Sequence, residues 1–466
     1  MVLRLNKSFG TIFNIVQVVF SIICSVLIMN DQSKPDFYRF LWIMPLVYGI
    51  FTFFLIGTRP ETFKHLCFVI VSGLFFLRNS LTPLFMYLGE YRGTFTQLND
   101  SNVNKSIALM TFEMIVVMLF SRYCVRRYLG SEVDYHFRFK KNSADSLLLT
   151  VLIAFCIGTI AVNLSYMNDF VSLFSGANIR MTNIGSSSSG AWYTVFVMLF
   201  PITYTFFCVY VMRIINAHFR SGLRTVINIL LIIVPLFFMN NSDAFNLICA
   251  LCIALTSLHT GGISKKTFVV MISAGVLAIV FALFFMVTEL SIELSRNSTI
   301  QNISISLQAY LPGVCNFAGV FNIGNEYSKL TSLLYDIYSV IPFRNTLFGL
   351  TENQNLTQIW GTVNGTNSQI LPCAAHLYYY VGIFAPIVEC LLIKSAFKTY
   401  RKMQESEGVL LYNARCMCFF YFIITPVMYN CSILFSRFFI TIVPMYVFAL
   451  LVEGNQKTSR VNVNNK

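Results

Sequence analysis

Twelve apolar runs, each close to the length of a bilayer-crossing helix, constrain this chain more than any other feature. They lie near 11–29, 37–56, 66–87, 106–121, 146–166, 191–212, 225–239, 244–258, 267–288, 371–393, 410–429 and 433–452. A helix needs about 20 apolar residues to cross the hydrocarbon core. In lipid, only a helix or a closed barrel satisfies its own backbone. The runs therefore predict an all-α fold, a polytopic transmembrane helical bundle of about 12 spans. Composition excludes the soluble alternative: 56% of the 466 residues are hydrophobic and 11% are charged, against about 25% charged in ordinary soluble proteins. The run after Arg4 and Lys7 lacks a small-residue cleavage site. It reads as the first span rather than as a cleaved signal.

The net charge of +13 would suit a nucleic-acid partner, but the positions of the charges argue against one. Most of the 33 lysines and arginines fall in alternate short loops, including Arg122 to Lys141, Arg213 to Arg224, Lys265 with Lys266, and Lys394 to Lys402. The positive-inside rule assigns such loops to the cytoplasm. Both termini are then expected to be cytoplasmic, and the one long loop faces the other way. This divides the chain into spans 1–9 over 1–288, a large extracytoplasmic loop over 289–370, spans 10–12 over 371–452, and a cytoplasmic tail over 453–466. The loop is only moderately polar. Leu330 to Tyr338 has helical spacing of apolar residues, so the loop is expected to fold over the outer helix ends and cover a cavity.

Several familiar chemistries are absent. There is no G-x-x-x-x-G-K-[ST] phosphate loop, no H-E-x-x-H and no G-x-S-x-G. The thirteen cysteines show no zinc spacing, and most lie in apolar runs as small hydrophobes. Cys416 and Cys418 make a C-x-C too sparse for a metal site. Cys315 lies in the long loop and Cys373 at its end, and a disulfide between them is an expectation if that loop faces an oxidising space.

Four features could carry chemistry. Arg78 sits inside the third span, five residues before Pro83. It either snorkels to the outer interface or lines a polar cavity open to the outer leaflet. Arg180, in the outer loop 167–190, is either solvated or a ligand for phosphate or carboxylate, which its planar fork of donors suits. His376 lies at the outer end of the tenth span and is either structural or a general base or donor to a leaving phosphate. The amide- and hydroxyl-rich stretch Gly361 to Gln369, followed by Tyr378, Tyr379 and Tyr380, suits contacts to sugars, although the tyrosines also fit an interfacial aromatic belt.

These segments together resemble a known family. The L-R-N-S-L-T-P-L of the third span, the outer-loop arginine before span six, the Q-A-Y-L-P-G and F-A-G block at Gln308–Gly319, and N-G-T-N-S running into Y-Y-Y-V-G-I-F-A-P-I are similar to bacterial oligosaccharide repeat-unit polymerases of the Wzy type, which build O-antigen or capsule. The plan of about twelve spans with one large outer loop before the last three also matches. The resemblance implies a GT-C-like, metal-independent membrane glycosyltransferase of the bacterial cytoplasmic (inner) membrane that uses no cofactor. Its partners would be undecaprenyl-diphosphate-linked oligosaccharide and membrane lipid, with a chain-length regulator as a further candidate. The implied catalytic residues are Arg180 and Arg296 (Arg344 is the other second-loop arginine), with His376 as base ahead of Glu289 and Glu293. Arg78, Tyr310, Gly313, Asn364 and Tyr379 would bind substrate. A flippase or transporter of lipid-linked oligosaccharide and a glycan ligase are the competing readings.

Overall fold

The computed structural model describes residues 7–30, 36–58, 61–62, 65–93, 98–129, 154, 191–237, 245–271, 299–324, 327–338, 341, 355–366, 369–406 and 408–454. Among the described residues the chain is 86% helical, with no strands. The helices are α1 (Lys7–Asn30), α2 (Ile43–Thr58), α3 (Leu66–Phe76), α4 (Thr82–Leu88), α5 (Asp100–Tyr128), α6 (Ala191–His218), α7 (Ser221–Phe237) and α8 (Phe245–His259). The short helices α9 (Thr299–Tyr310), α10 (Val314–Ala318), α11 (Lys329–Tyr338) and α12 (Leu356–Asn364) follow. The chain then continues through α13 (Cys373–Val381), α14 (Ala385–Gln404), α15 (Val409–Met428), α16 (Cys431–Arg437) and α17 (Val443–Gly454).

Among the described residues, seven segments are long and apolar enough to cross a membrane: Gly10–Asn30, Asp36–Thr58, Leu66–Leu88, Asp100–Tyr128, Cys373–Gln404, Val409–Met428 and Cys431–Leu451. Three shorter apolar helices lie at Ile202–Asn216, Ser221–Ile233 and Ile248–His259. The expected span 146–166 and most of 267–288 lie outside the described residues. The outward faces are apolar: Ile12, Val16, Val19, Phe53, Phe54, Phe384 and Leu391 are all exposed. A contiguous surface of this kind is stable only against lipid or another protein.

Two of the long segments contain a π-turn. Between α3 and α4 the backbone widens to a π-turn over Leu77–Leu81, in which Thr82 N–H reaches back to Leu77 O. The extra residue per turn shifts the register and turns Arg78, Asn79 and Ser80 all inward. A second π-turn spans Phe438–Ile442 between α16 and α17. The expected tenth span, 371–393, is also broken. α13 stops at Gly382, whose φ of +61° and ψ of −138° suit only glycine, and α14 begins afresh at Ala385.

Helix α14 packs along both α15 and α5, and α1 packs on α2. Polar contacts join α1 to α2 and to the third segment. Ser72 Oγ donates to Asn14 Oδ1 at 2.8 Å, Tyr48 Oη donates to Gln17 Oε1 at 2.9 Å, and Ser21 and Ser80 share a 2.8 Å bond. Such bonds hold helices together where lipid removes the hydrophobic drive for association.

The described part of the long loop, together with α13, covers one end of the bundle. α9 lies on α4, α10 on α5, and α11 on α12 and α16. A Cβ at Gly89 would stand 2.8 Å from Gln301 Cα, so glycine is what lets α9 approach this closely. The cap has an apolar core around Phe317, Trp360 and Leu371.

Candidate functional site

Two buried polar clusters lie near the capped end, and each contains one residue that the sequence singles out. The first is built around Arg78, which is fully buried. Its Nη2 meets Glu113 Oε1 of α5 at 2.5 Å. Its Nη1 donates to Pro426 O at 3.0 Å, a carbonyl in the last turn of α15 that no following helical N–H can take. The guanidinium also stands 5.1 Å from the centre of the Phe75 ring. The Arg78 side chain is thus held inside the bundle, and its hydrogen-bonding partners come from two other helices.

Glu389 of α14 completes this cluster. Its carboxyl faces that of Glu113, and it is fully buried. Among the described residues, no N–H or hydroxyl donates to either of its oxygens. One guanidinium against two carboxyls leaves the cluster one positive charge short of neutral while both are ionised. Removing one member of such a buried pair costs about 3–5 kcal/mol.

The second cluster is centred on Asp336, in α11 of the cap. His376 Nε2 of α13 sits 2.9 Å from Asp336 Oδ2. Tyr380 Oη donates to the same oxygen at 2.7 Å, and Ser432 Oγ of α16 donates to Oδ1 at 2.8 Å. Burial works to raise the Asp336 carboxyl, but the hydrogen bond and charge of His376, with the Tyr380 and Ser432 hydroxyls, outweigh it and hold it below the usual carboxylate value. One carboxylate of the cap thus collects donors from two helices of the bundle. The imidazole is 2% exposed, and its Nδ1 has no hydrogen-bond partner among the described residues. One ring nitrogen is fixed by a carboxylate while the other is uncommitted, the arrangement of an oriented general base.

The two clusters adjoin through a pair of thiols. Cys373 opens α13 and Cys431 opens α16, with their Sγ atoms 3.8 Å apart. Cys373 lies within electrostatic range of Glu389 and Glu113, and Cys431 within range of His376 and Asp336. Cys315 and Cys373, the pair suggested by the sequence, are both free buried thiols. The partner of Cys373 is Cys431.

The structure separates the other expected site residues. Tyr310, at the end of α9, keeps an exposed ring. Gly313 is buried, and a Cβ there would stand 3.2 Å from Thr82 Cγ2 of α4. The Asn364 side chain is internal: its Nδ2 donates to Gly319 O and Trp360 O, and its Oδ1 accepts from Asn322 Nδ2 at 2.8 Å. Tyr379 Oη donates to Tyr327 O at 3.2 Å. These three positions tie the cap together, so their contacts are to protein. Arg180, Arg296 and Arg344 lie outside the described residues, as do Glu289 and Glu293. Among the described residues, no group of three or more His, Cys, Asp or Glu side chains is arranged to hold a metal ion.

Glu113, Glu389, Asp336 and Cys431 were not singled out in the sequence. A detectable signal existed for the two glutamates. Each is a carboxylate inside an otherwise apolar run, the same anomaly that marks Arg78. Asp336 gave none, because an acidic residue on an amphipathic loop helix is ordinary.

Comparison of the chain with protein-family models, with curated proteins and with solved structures found no match.

Proposed function

We propose that this chain is a membrane glycosyltransferase that polymerises lipid-linked oligosaccharide repeat units at the outer face of a bacterial cytoplasmic membrane. One observation carries the reading: His376, buried under the cap, is held through Nε2 by Asp336 and leaves Nδ1 uncommitted. The motif resemblance supplies the substrate class, a glycan on undecaprenyl diphosphate. The proposal includes a bundle of twelve spans, with 146–166 and 267–288 completing the ten apolar segments described. It also includes a GT-C-like arrangement and cytoplasmic termini.

In this reading, an acceptor hydroxyl on the newly delivered repeat unit attacks the anomeric carbon of the donor glycan. The new C–O bond forms as the bond from that carbon to the diphosphate oxygen breaks. The hydroxyl proton passes to His376 Nδ1, and Asp336 stabilises the imidazolium that results. The lipid diphosphate leaves with its negative charge, which Arg180 and Arg296 neutralise. Arg78 is assigned the architectural role of joining α5 and α15 beneath the site, because both of its terminal nitrogens already have protein partners.

A second reading is favoured by a different observation. Fully buried ionisable groups inside a helical bundle, here Arg78, Glu113 and Glu389, are typical of ion-coupled transport paths. A flippase for lipid-linked oligosaccharide would use them in that way. Deleting the gene in its host and resolving the surface glycan on a gel separates the two. Single-repeat material without a ladder supports the polymerase. Loss of all surface glycan, with lipid-linked units retained inside, overturns it in favour of the flippase. Under the polymerase reading, Arg180→Ala, Arg296→Ala and His376→Ala each abolish the ladder while protein levels are maintained. Native ladders from all three remove the site assignment.

A further inference from the structure

The thiols of Cys373 and Cys431 serve neither the apolar packing that explains most cysteines here nor the chemistry proposed above. Their placement is specific. Each is the first residue of a helix, α13 after Pro372 and α16 after Asn430. They are 58 positions apart in sequence, yet their Sγ atoms lie 3.8 Å apart. Both helices carry donors to Asp336: His376 one turn beyond Cys373, and Ser432 immediately after Cys431. The backbone around Cys431 is fixed as well, because Asn430 Oδ1 caps α16 by accepting from Ile433 N–H at 2.8 Å. The two sulfurs are therefore held face to face by the elements that assemble the Asp336 cluster.

We propose that Cys373 and Cys431 are a dithiol that oxidises to a disulfide, fastening α13 to α16 beside the His376–Asp336 pair. Van der Waals contact between the sulfurs leaves under 2 Å to close to the bond length of about 2.05 Å. Cys431 is 8% exposed and Cys373 fully buried, which sets the order of events. The Cys431 thiol loses its proton and attacks a small-molecule disulfide. That disulfide's S–S bond breaks, one thiol leaves, and a mixed disulfide remains on Cys431. The Cys373 thiol then loses its proton and attacks the Cys431 sulfur, expelling the second thiol. Two protein thiols are oxidised, one external disulfide is reduced to two thiols, and the new bond crosses the foot of the Asp336 cluster. Oxidation would fix the helix that carries His376 relative to the helix that carries Ser432. The inference stands on the thiol geometry alone and does not require the glycosyltransferase reading.

The experiment uses the full chain purified in detergent. It is reduced, exposed to oxidised glutathione, denatured, alkylated with a maleimide, digested and analysed by mass spectrometry. The expected product is one cross-linked peptide pair joining the segment around Cys373 to that around Cys431, lost on reduction and accompanied by a higher Tm of the oxidised protein. In Cys373→Ser the reaction stops at a glutathione adduct on Cys431, and in Cys431→Ser position 373 stays unmodified. The result on the native chain needs neither variant, so misfolding of a variant does not blunt the test. Alkylation of both thiols after oxidation of a chain that still melts cooperatively overturns the proposal. So does a cross-link from either cysteine to a different one.

Discussion

At the scale of single residues, the Asp336 carboxylate does the most with the least. Three side chains from two other helices converge on its two oxygens. Its folded-state acidity is shifted below the ordinary carboxylate value, so its contribution is present at neutral pH and is lost as pH falls through the folded value. Asp336→Asn should therefore melt below the native protein at pH 7, by the equivalent of about 3–5 kcal/mol. The gap should narrow as pH falls below about 4, the range in which an ordinary aspartate titrates. Tm measured in detergent across that range checks this; a gap that does not change with pH refutes it. Arg78 gives a second prediction at this scale. Its Nη1 and Nη2 serve different helices, so Arg78→Lys, a single ammonium on a flexible stem, should not recover what the planar fork holds. A native Tm for Arg78→Lys would show that one of the two contacts contributes nothing.

At the scale of elements, two glycines test two kinds of constraint. Gly382 ends α13 at φ +61° and ψ −138°, and a Cβ there would meet nothing within 4 Å. Gly382→Ala therefore carries only backbone strain, about 1–3 kcal/mol. Gly89 has ordinary dihedrals, with φ −86° and ψ 0°, but a Cβ would press on the backbone of α9, which cannot rotate away as a side chain can. Gly89→Ala should lift α9 from α4 and make 299–310 sensitive to protease, whereas Gly382→Ala should lower the Tm without that local effect. Equal protease patterns in the two variants would mean that α9 is not seated as described.

At the scale of the whole molecule, the proposed orientation turns the basic loops to the cytoplasm and the cap to the opposite face. A reporter that is active only outside the cytoplasm should work when fused after Asn325 and fail when fused after Gln404. The opposite pattern would place the His376–Asp336 pair on the cytoplasmic side and remove access to a lipid-linked donor in the outer leaflet.

The sequence by itself determined the solvent of this protein and its helical class, because apolar runs of bilayer length allow no other backbone solution. It also located the amphipathic helix at Leu330–Tyr338 and marked Arg78 and His376 as unusual, since each breaks an apolar pattern. The partners of those residues were a matter of tertiary structure. Glu113 lies 35 positions from Arg78 and Asp336 lies 40 before His376, and nothing local couples them. The break at Gly382 was hidden because apolar periodicity continues across it. The π-turn that aims Arg78 inward leaves no mark in hydropathy, since it changes the register by one residue without changing composition. The same limit explains the cysteines. A shared place in or at the end of the long loop suggested Cys315 with Cys373, but the packing of α13 against α16 brought Cys431 to that thiol instead, because which sulfurs meet is decided by where helices end in space.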